Sequence, residues 1–483
     1  MLNILDFVKN IDPTLVISDG SGLPIVYNGK PKEEGIKLKK ENILYEPYYY
    51  YLPALNEIKK IKDEFKNKRE RLRTINTFDR VESLIESSST IERNEETLSK
   101  LISLETGKSI ELSREEVKVS LKLLENIWTL ISGDFDYARS GPLSLISEFD
   151  NTLLDIKSEG KLSLVIPSYT SPFYTTIASV SRALISGNPV IIKPSSYAMA
   201  STISAMAMFS ATDLYDYIYY LPMRGYTALK EIDSEDLNIF LFGKEVTYNS
   251  LKRSLNGNII PNCLGRAVVI LCNEIDDIDL ASNEIAKLAL IHSGQACGSI
   301  SWILSNHGLK DEIIENISDR FEQSSIGNPL DGKEVGPLKN KEIADRSTKL
   351  INDAISKGGK LITGGLTNDR YIEPTLINET PKNAEIMWSD IEAPVLAVTQ
   401  VSNCNEAISL SAMMMGSSIT IIYGNEKLLS SMAKAKRGIV IKGSNNLSSI
   451  LTSLCSFVGN PIENFANKTY NGILPFTRSI LIY

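Results

Sequence analysis

The chain has 483 residues, 43% of them hydrophobic, and a formal net charge of −8. That length exceeds what one hydrophobic core usually serves, so two or three domains are expected, and the apolar content excludes a disordered chain. With an acidic balance and no basic stripe, the composition argues against nucleic acid as a partner.

The N-terminal stretch MLNILDFVKNIDPTL carries early acids and lacks the basic and long apolar regions of an export signal, and no later apolar run is long enough to span a membrane. Residues 52–132 hold Leu, Ile, Lys and Glu at three- and four-residue spacing, as in REEVKVSLKLLENIWTLI, which predicts a set of amphipathic helices. The segment NTLLDIKSEGKLSLVIP alternates around a Ser-Glu-Gly turn as a hairpin does. From Leu162 onward, short apolar runs alternate with helical patterns: KLSLVIP, NPVIIKPSS and LNIFLFGKEV, then RAVVILCN, SISWILS, LAVTQVS and SSITIIYG. Continuous apolar strands between helices predict parallel sheets buried on both faces, so two α/β domains with open parallel sheets are expected. The closing TRSILIY reads as a terminal strand, and edges of this kind often pair with a second subunit.

The five cysteines, Cys263, Cys272, Cys297, Cys404 and Cys455, are odd in number, scattered and free of CxxC spacing. That argues against a disulfide framework and against a structural metal, and fits a reducing cytoplasm. Cys297 stands out in His292-Ser293-Gly294-Gln295-Ala296-Cys297-Gly298-Ser299, where small neighbours leave its sulfur unshielded and nearby backbone N–H groups are placed to hold an oxyanion. A small space-filling cysteine is the competing reading, and local sequence leaves both open. The chain has two histidines, and His292, five residues before Cys297, falls off its helical face and reads as structural. Lys193 closes the strand-like run Gly187 to Ser196, where open α/β sheets bind ligands, so it reads either as a phosphate or ribose contact or as a solvated strand end. No GxGxxG is present, and Phe242-Gly243-Lys244 alone is too short for a phosphate loop.

Several stretches, in one order along most of the chain, resemble the aldehyde dehydrogenase superfamily. They are Glu105-Thr106-Gly107-Lys108, the Gly187 to Ser196 run, Gly294-Gln295-Ala296-Cys297, Gly327-Asn328-Pro329 with Val335-Gly336-Pro337-Leu338, Gly364-Gly365 before Glu373-Pro374-Thr375-Leu376, and Ala393-Pro394-Val395. The resemblance implies an α/β subunit with a dinucleotide-binding domain (1–138 and 160–260), a catalytic domain carrying the nucleophile (261–440), a return to the cofactor domain (441–465), and a small β oligomerisation arm (139–159 and 466–483). It implies a homodimer or homotetramer. Cys297 would attack an aldehyde, and the resulting thioester would be hydrolysed with help from a glutamate base. The implied cofactor set is Ile166, Pro167, Lys193, Ser195, Ser196, Gly243, Lys244 and Asp390, for NAD or NADP.

Departures from the family pattern matter as much. The resemblance implies the base glutamate just before a Leu-Gly-Gly strand entry, and the corresponding stretch is Pro261-Asn262-Cys263-Leu264-Gly265-Arg266, so the base position is Cys263, expected across the pocket from Cys297. The oxyanion asparagine is missing from Pro167-Ser168-Tyr169-Thr170-Ser171-Pro172, leaving the hydroxyls of Tyr169 or Thr170 as substitutes. Asp390 stands for the glutamate implied at the nicotinamide ribose, and Glu392 for an aromatic, placing a carboxylate near the nicotinamide. Ser196 replaces a glutamate that would repel a 2′-phosphate, which leans toward NADP tolerance. Three functions are compatible: an NAD(P)-dependent aldehyde dehydrogenase, a CoA-acylating dehydrogenase that needs no base for water, and a non-catalytic descendant.

Overall fold

The computed structural model describes residues 2–128, 162–262, 265–272, 275, 277–306, 310–414, 417–423, 430–432, 438–443 and 479–482. The chain divides into two compact units: Met1–Glu105, Ser113–Phe242 and Asn249–Ile260 form the first, and Thr106–Leu112, Gly243–Tyr248 and Pro261–Tyr483 the second.

The first unit contains the expected amphipathic helices, at Leu55–Thr74, Thr77–Glu86, Ser88–Arg93, Glu95–Thr106 and Ile110–Glu125. Its seven-stranded sheet runs in the order Asn258–Asn262, Leu237–Phe242, Leu162–Ile166, Val190–Ile192, Ile218–Tyr220, Ile25–Tyr27, Lys30–Lys32. The four strands from Leu237 to Tyr220 in that order are parallel, and helices Pro172–Ile185 and Met199–Ala207 lie between successive strands along the chain. Leu162–Ile166 therefore has parallel neighbours on both sides; the rest of the predicted hairpin, like the 139–159 arm, lies outside the described residues. Two buried side chains hold helix ends. Arg80 donates from Nε and Nη2 to the Ile185 carbonyl at 3.2 and 2.9 Å, closing the C-terminus of Pro172–Ile185. Glu116 Oε1 accepts from the Phe173 and Tyr174 amides at 2.8 and 3.0 Å, closing its N-terminus.

The second unit is built on an eight-stranded sheet in the order Lys360–Thr363, Thr375–Asn378, Val395–Val401, Ile300–Asn306, Arg266–Leu271, Ser417–Tyr423, Gly438–Lys442, Ser479–Ile482. Only the pairing of the first two strands is antiparallel. Burial on both faces is why its strands read as continuous apolar runs. Ala267, Val269 and Leu271 join one core with Ile285, Ala289 and Ile317, whereas Val268 and Ile270 join the opposite core with Trp302, Leu350 and Ala407. The terminal strand Ser479–Ile482 pairs in parallel with Gly438–Lys442 of the same chain.

One expectation is corrected here. Cys272 and Cys404, with Cα atoms 5.5 Å apart and a sequence separation of 132, form a disulfide. Cys272 follows strand Arg266–Leu271, and Cys404 opens helix Cys404–Met413, which packs against that strand. Tertiary packing, which no spacing rule reads, brings them together.

Candidate active site

The loop that carries Cys297 follows helix Ile278–Leu290 and leads into strand Ile300–Asn306. Its path is a chain of tight turns: Ser293 N to Leu290 O at 2.8 Å, Gly294 N to Ile291 O at 3.1 Å, Gln295 N to His292 O at 3.0 Å, and Ser299 N to Ala296 O at 3.2 Å. His292 and Ser293 take φ of 49° and 53°, followed by Gly294 at 70°. Left-handed backbone is unfavourable for non-glycine residues, so tertiary contacts must hold it. Two such contacts flank the turn: Ser293 Oγ donates to Gly336 O at 2.9 Å, and Gln295 Oε1 accepts from Lys339 N at 2.9 Å.

Two motif glycines are explained by close approach. A Cβ on Gly294 would sit 2.0 Å from the Ala393 carbonyl oxygen, and one on Gly336 would sit 1.9 Å from that of Gly107. The co-linear segments that carry the resemblance thus meet in pairs in space, GQAC against Ala393-Pro394 and VGPL against Gly107.

Cys297 is partly exposed and packs against the core formed by one face of the sheet. Cys263 lies outside the described residues. His292 is buried, with Nε2 3.0 Å from the Thr106 carbonyl. Burial, then the nearby Lys108 charge, lowers its pKa from 6.5 to about 3, so it is neutral near pH 7, in keeping with a structural role.

Beneath the loop lies a charge cluster. Asp390 accepts from Arg266 Nε at 3.2 Å and pairs with Lys244 at 3.1 Å. Glu392 pairs with Lys244 at 2.5 Å and Lys339 at 3.3 Å, with Arg266 at 4.0 Å. Burial pushes the pKa of both acids up, but these cations outweigh it and hold both below the usual carboxylate range. Asp390 and Glu392, read from sequence as acids facing a cofactor, therefore already carry cationic partners. Gly243 N donates to Asn262 O at 3.2 Å, which seats the turn from which Lys244 projects. Arg266, Lys339, Gln295 and Ser299 were missed by the sequence reading. The signal available was Arg266 itself, a cation at the entry to an apolar strand where the resemblance implies glycine.

In the first unit, Ile166 ends the strand Leu162–Ile166 and Pro167 is buried behind it. Thr170 Oγ1 is 2.9 Å from Ser168 Oγ, and Tyr169 meets the Tyr197 ring edge-on at 5.8 Å. Lys193 follows strand Val190–Ile192, its backbone N–H donating to Val165 O at 2.8 Å. Its side chain is half-buried, burial lowers its pKa, and among the described residues no carboxylate pairs with it. Ser195 Oγ accepts from Tyr197 N at 3.3 Å, and Ser196 is exposed. Glu105 of the ETGK motif is buried and accepts from Ala200 N, Ser201 N and Ser201 Oγ at 2.8, 2.7 and 2.6 Å, capping helix Met199–Ala207. Among the described residues no group of three or more His, Cys, Asp or Glu is placed to hold a metal ion, and no helix is long and apolar enough to cross a membrane.

Two largely parallel, doubly covered sheets define an α/β protein, and a partly exposed cysteine lies in a glycine-bounded loop of its second unit. The chain belongs to the aldehyde dehydrogenase family, whose sequence profile matches residues 54–437. It is 28% identical over 375 residues to lactaldehyde dehydrogenase of Methanococcus aeolicus, covering 74% of this chain and 78% of that one. Against 3-sulfolactaldehyde dehydrogenase of Priestia aryabhattai it is 22% identical over 356 residues, 72% of each chain. Its fold matches NADP-dependent glyceraldehyde-3-phosphate dehydrogenase of Bacillus halodurans, complexed with NADP, at a TM-score of 0.76 and 20% identity, covering 88% of this chain and 91% of that one. The expected two-sheet α/β architecture is borne out.

Proposed function

We propose that the chain oxidises a small aldehyde to the acid with NAD or NADP, using Cys297 as nucleophile. The observation that carries this reading is Cys297 itself, the one described cysteine outside a disulfide, partly exposed in a loop held on both sides. Its thiolate would add to the carbonyl carbon, giving a hemithioacetal, and loss of hydride would leave a thioester on Cys297. The dinucleotide, when bound, supplies the hydride acceptor. Lys193 suits the ribose hydroxyls or a phosphate, being a half-buried cation at a strand's C-terminal end that no carboxylate among the described residues pairs with. Exposed Ser196 leaves room for a 2′-phosphate, which supports NADP tolerance. Relatives named for lactaldehyde and 3-sulfolactaldehyde support a short 2-hydroxyaldehyde as substrate.

The test is to follow reduced-cofactor absorbance with NAD or NADP and a panel of short aldehydes, with and without CoA. Turnover without CoA, abolished by Cys297→Ala, is expected. Turnover that needs CoA would replace hydrolysis with acyl transfer, and no turnover with any pair would refute the enzymatic reading.

A further inference from the structure

We propose that Arg266 is a positioning residue that clamps the nucleophile loop on both sides of Cys297, an inference that rests on Cys297 being the nucleophile. Arg266 is the first residue of strand Arg266–Leu271, and its side chain is 5% exposed. Its Nη1 donates to the Ala296 carbonyl, immediately before Cys297, and to Ser299 Oγ at 2.8 Å, two residues after it. Ser299 Oγ passes the contact on by donating to Gly294 O at 3.0 Å. The backbone around Arg266 reinforces the same grip, with Gly298 N donating to Gly265 O at 2.8 Å and Ala267 N to Ser299 O at 2.9 Å.

On its other side the guanidinium is held by Asp390 through Nε at 3.2 Å and faces Glu392 at 4.0 Å. The Nε donor and both Nη1 donors are thus committed to protein acceptors, and Nη2 faces Glu392, so Arg266 acts on the reaction through the loop and not by touching substrate. A planar guanidinium reaches acceptors in several fixed directions at once, which the point charge of lysine does not. The resemblance implies glycine here, so the clamp is a property of this chain's own sequence.

The experiment compares Arg266→Lys, Ser299→Ala and the double variant. Folding is checked by tryptophan fluorescence, turnover by kcat and KM, and Cys297 by the rate of iodoacetamide alkylation read from its peptide mass. Arg266→Lys should lower kcat and the alkylation rate by roughly 10- to 100-fold with KM changed by less than about 3-fold, because small misplacements of a reacting group cost rate more than binding. Ser299→Ala should give a smaller loss, and the double variant should be no worse than Arg266→Lys, because the two side chains form one unit. Losses that multiply, or wild-type kcat and alkylation in folded Arg266→Lys, would overturn the proposal. If Arg266→Lys does not fold, the uncharged Ser299→Ala decides: unchanged kcat and alkylation there overturn it. Alkylation needs no aldehyde, so a wild-type protein without turnover refutes the proposed function while the clamp is still read.

Discussion

Replacing His292 with glutamine tests the charge state assigned to the buried core of the second unit. In the folded chain His292 has a pKa near 3, against 6.5 for an ordinary histidine, because burial and the Lys108 charge disfavour the protonated ring. The unfolded chain therefore binds a proton below about pH 6.5 that the folded chain refuses until about pH 3, and stability falls as the pH drops through that window. Above it, both states are neutral and the residue adds no pH dependence. The loss is about 1.4 kcal/mol per pH unit, so at about pH 5 the wild type is weakened by about 2 kcal/mol relative to its value at neutral pH. Glutamine keeps an N–H donor for the Thr106 carbonyl but does not titrate. The assay is urea unfolding at about pH 7.5 and about pH 5, followed by the fluorescence of Trp302, which is buried in the same unit. His292→Gln costs some stability at neutral pH, but the drop between the two pH values should be about 2 kcal/mol smaller than in wild type, other titrating groups cancelling in the comparison. Identical drops in the two proteins would refute the buried neutral histidine.

Three further outcomes follow from the geometry. Gly294→Ala places a Cβ 2.0 Å from the Ala393 carbonyl at a φ of 70°, and should destabilise the chain by about 3 kcal/mol or more and abolish turnover, read by urea unfolding and cofactor reduction. Glu105→Ala strips the acceptor from Ala200 N, Ser201 N and Ser201 Oγ and should cost about 3 kcal/mol, while Glu105→Gln costs less, both measured by urea unfolding. Lys193→Met should weaken dinucleotide binding about 10-fold in calorimetry and leave the fold intact; an unchanged Kd would remove Lys193 from the cofactor site.

Most of the α/β framework was legible because doubly buried strands leave continuous apolar runs, as RAVVIL does, and exposed-face helices leave their spacing, as in REEVKVSLKLLE. The N-terminal strands were overlooked although one carried a readable turn: Asn28 and Gly29, at φ of 53° and 66°, join Ile25–Tyr27 to Lys30–Lys32 as a two-residue hairpin. The strand Tyr48–Leu52 hid in a run of tyrosines. At the site, Cys297 was visible from its small neighbours and its place in a series of motifs. The charge cluster was not, since Arg266 meets Asp390 across 124 positions and Lys244 meets Glu392 across 148, and no local pattern encodes such a meeting. The Cys272–Cys404 bond was hidden for the same reason.

That bond has a consequence for the chain as a connected object. The ring it closes holds the whole stretch from Cys272 to Cys404, including the Cys297 loop, the Gly336 turn and both acids of the cluster. A protease that cuts once inside this ring opens it without producing two molecules: the fragments migrate together until a reductant frees them. Arg266 stands outside the ring, just upstream of it, so the clamp joins the covalently closed part of the second unit to the chain that precedes it.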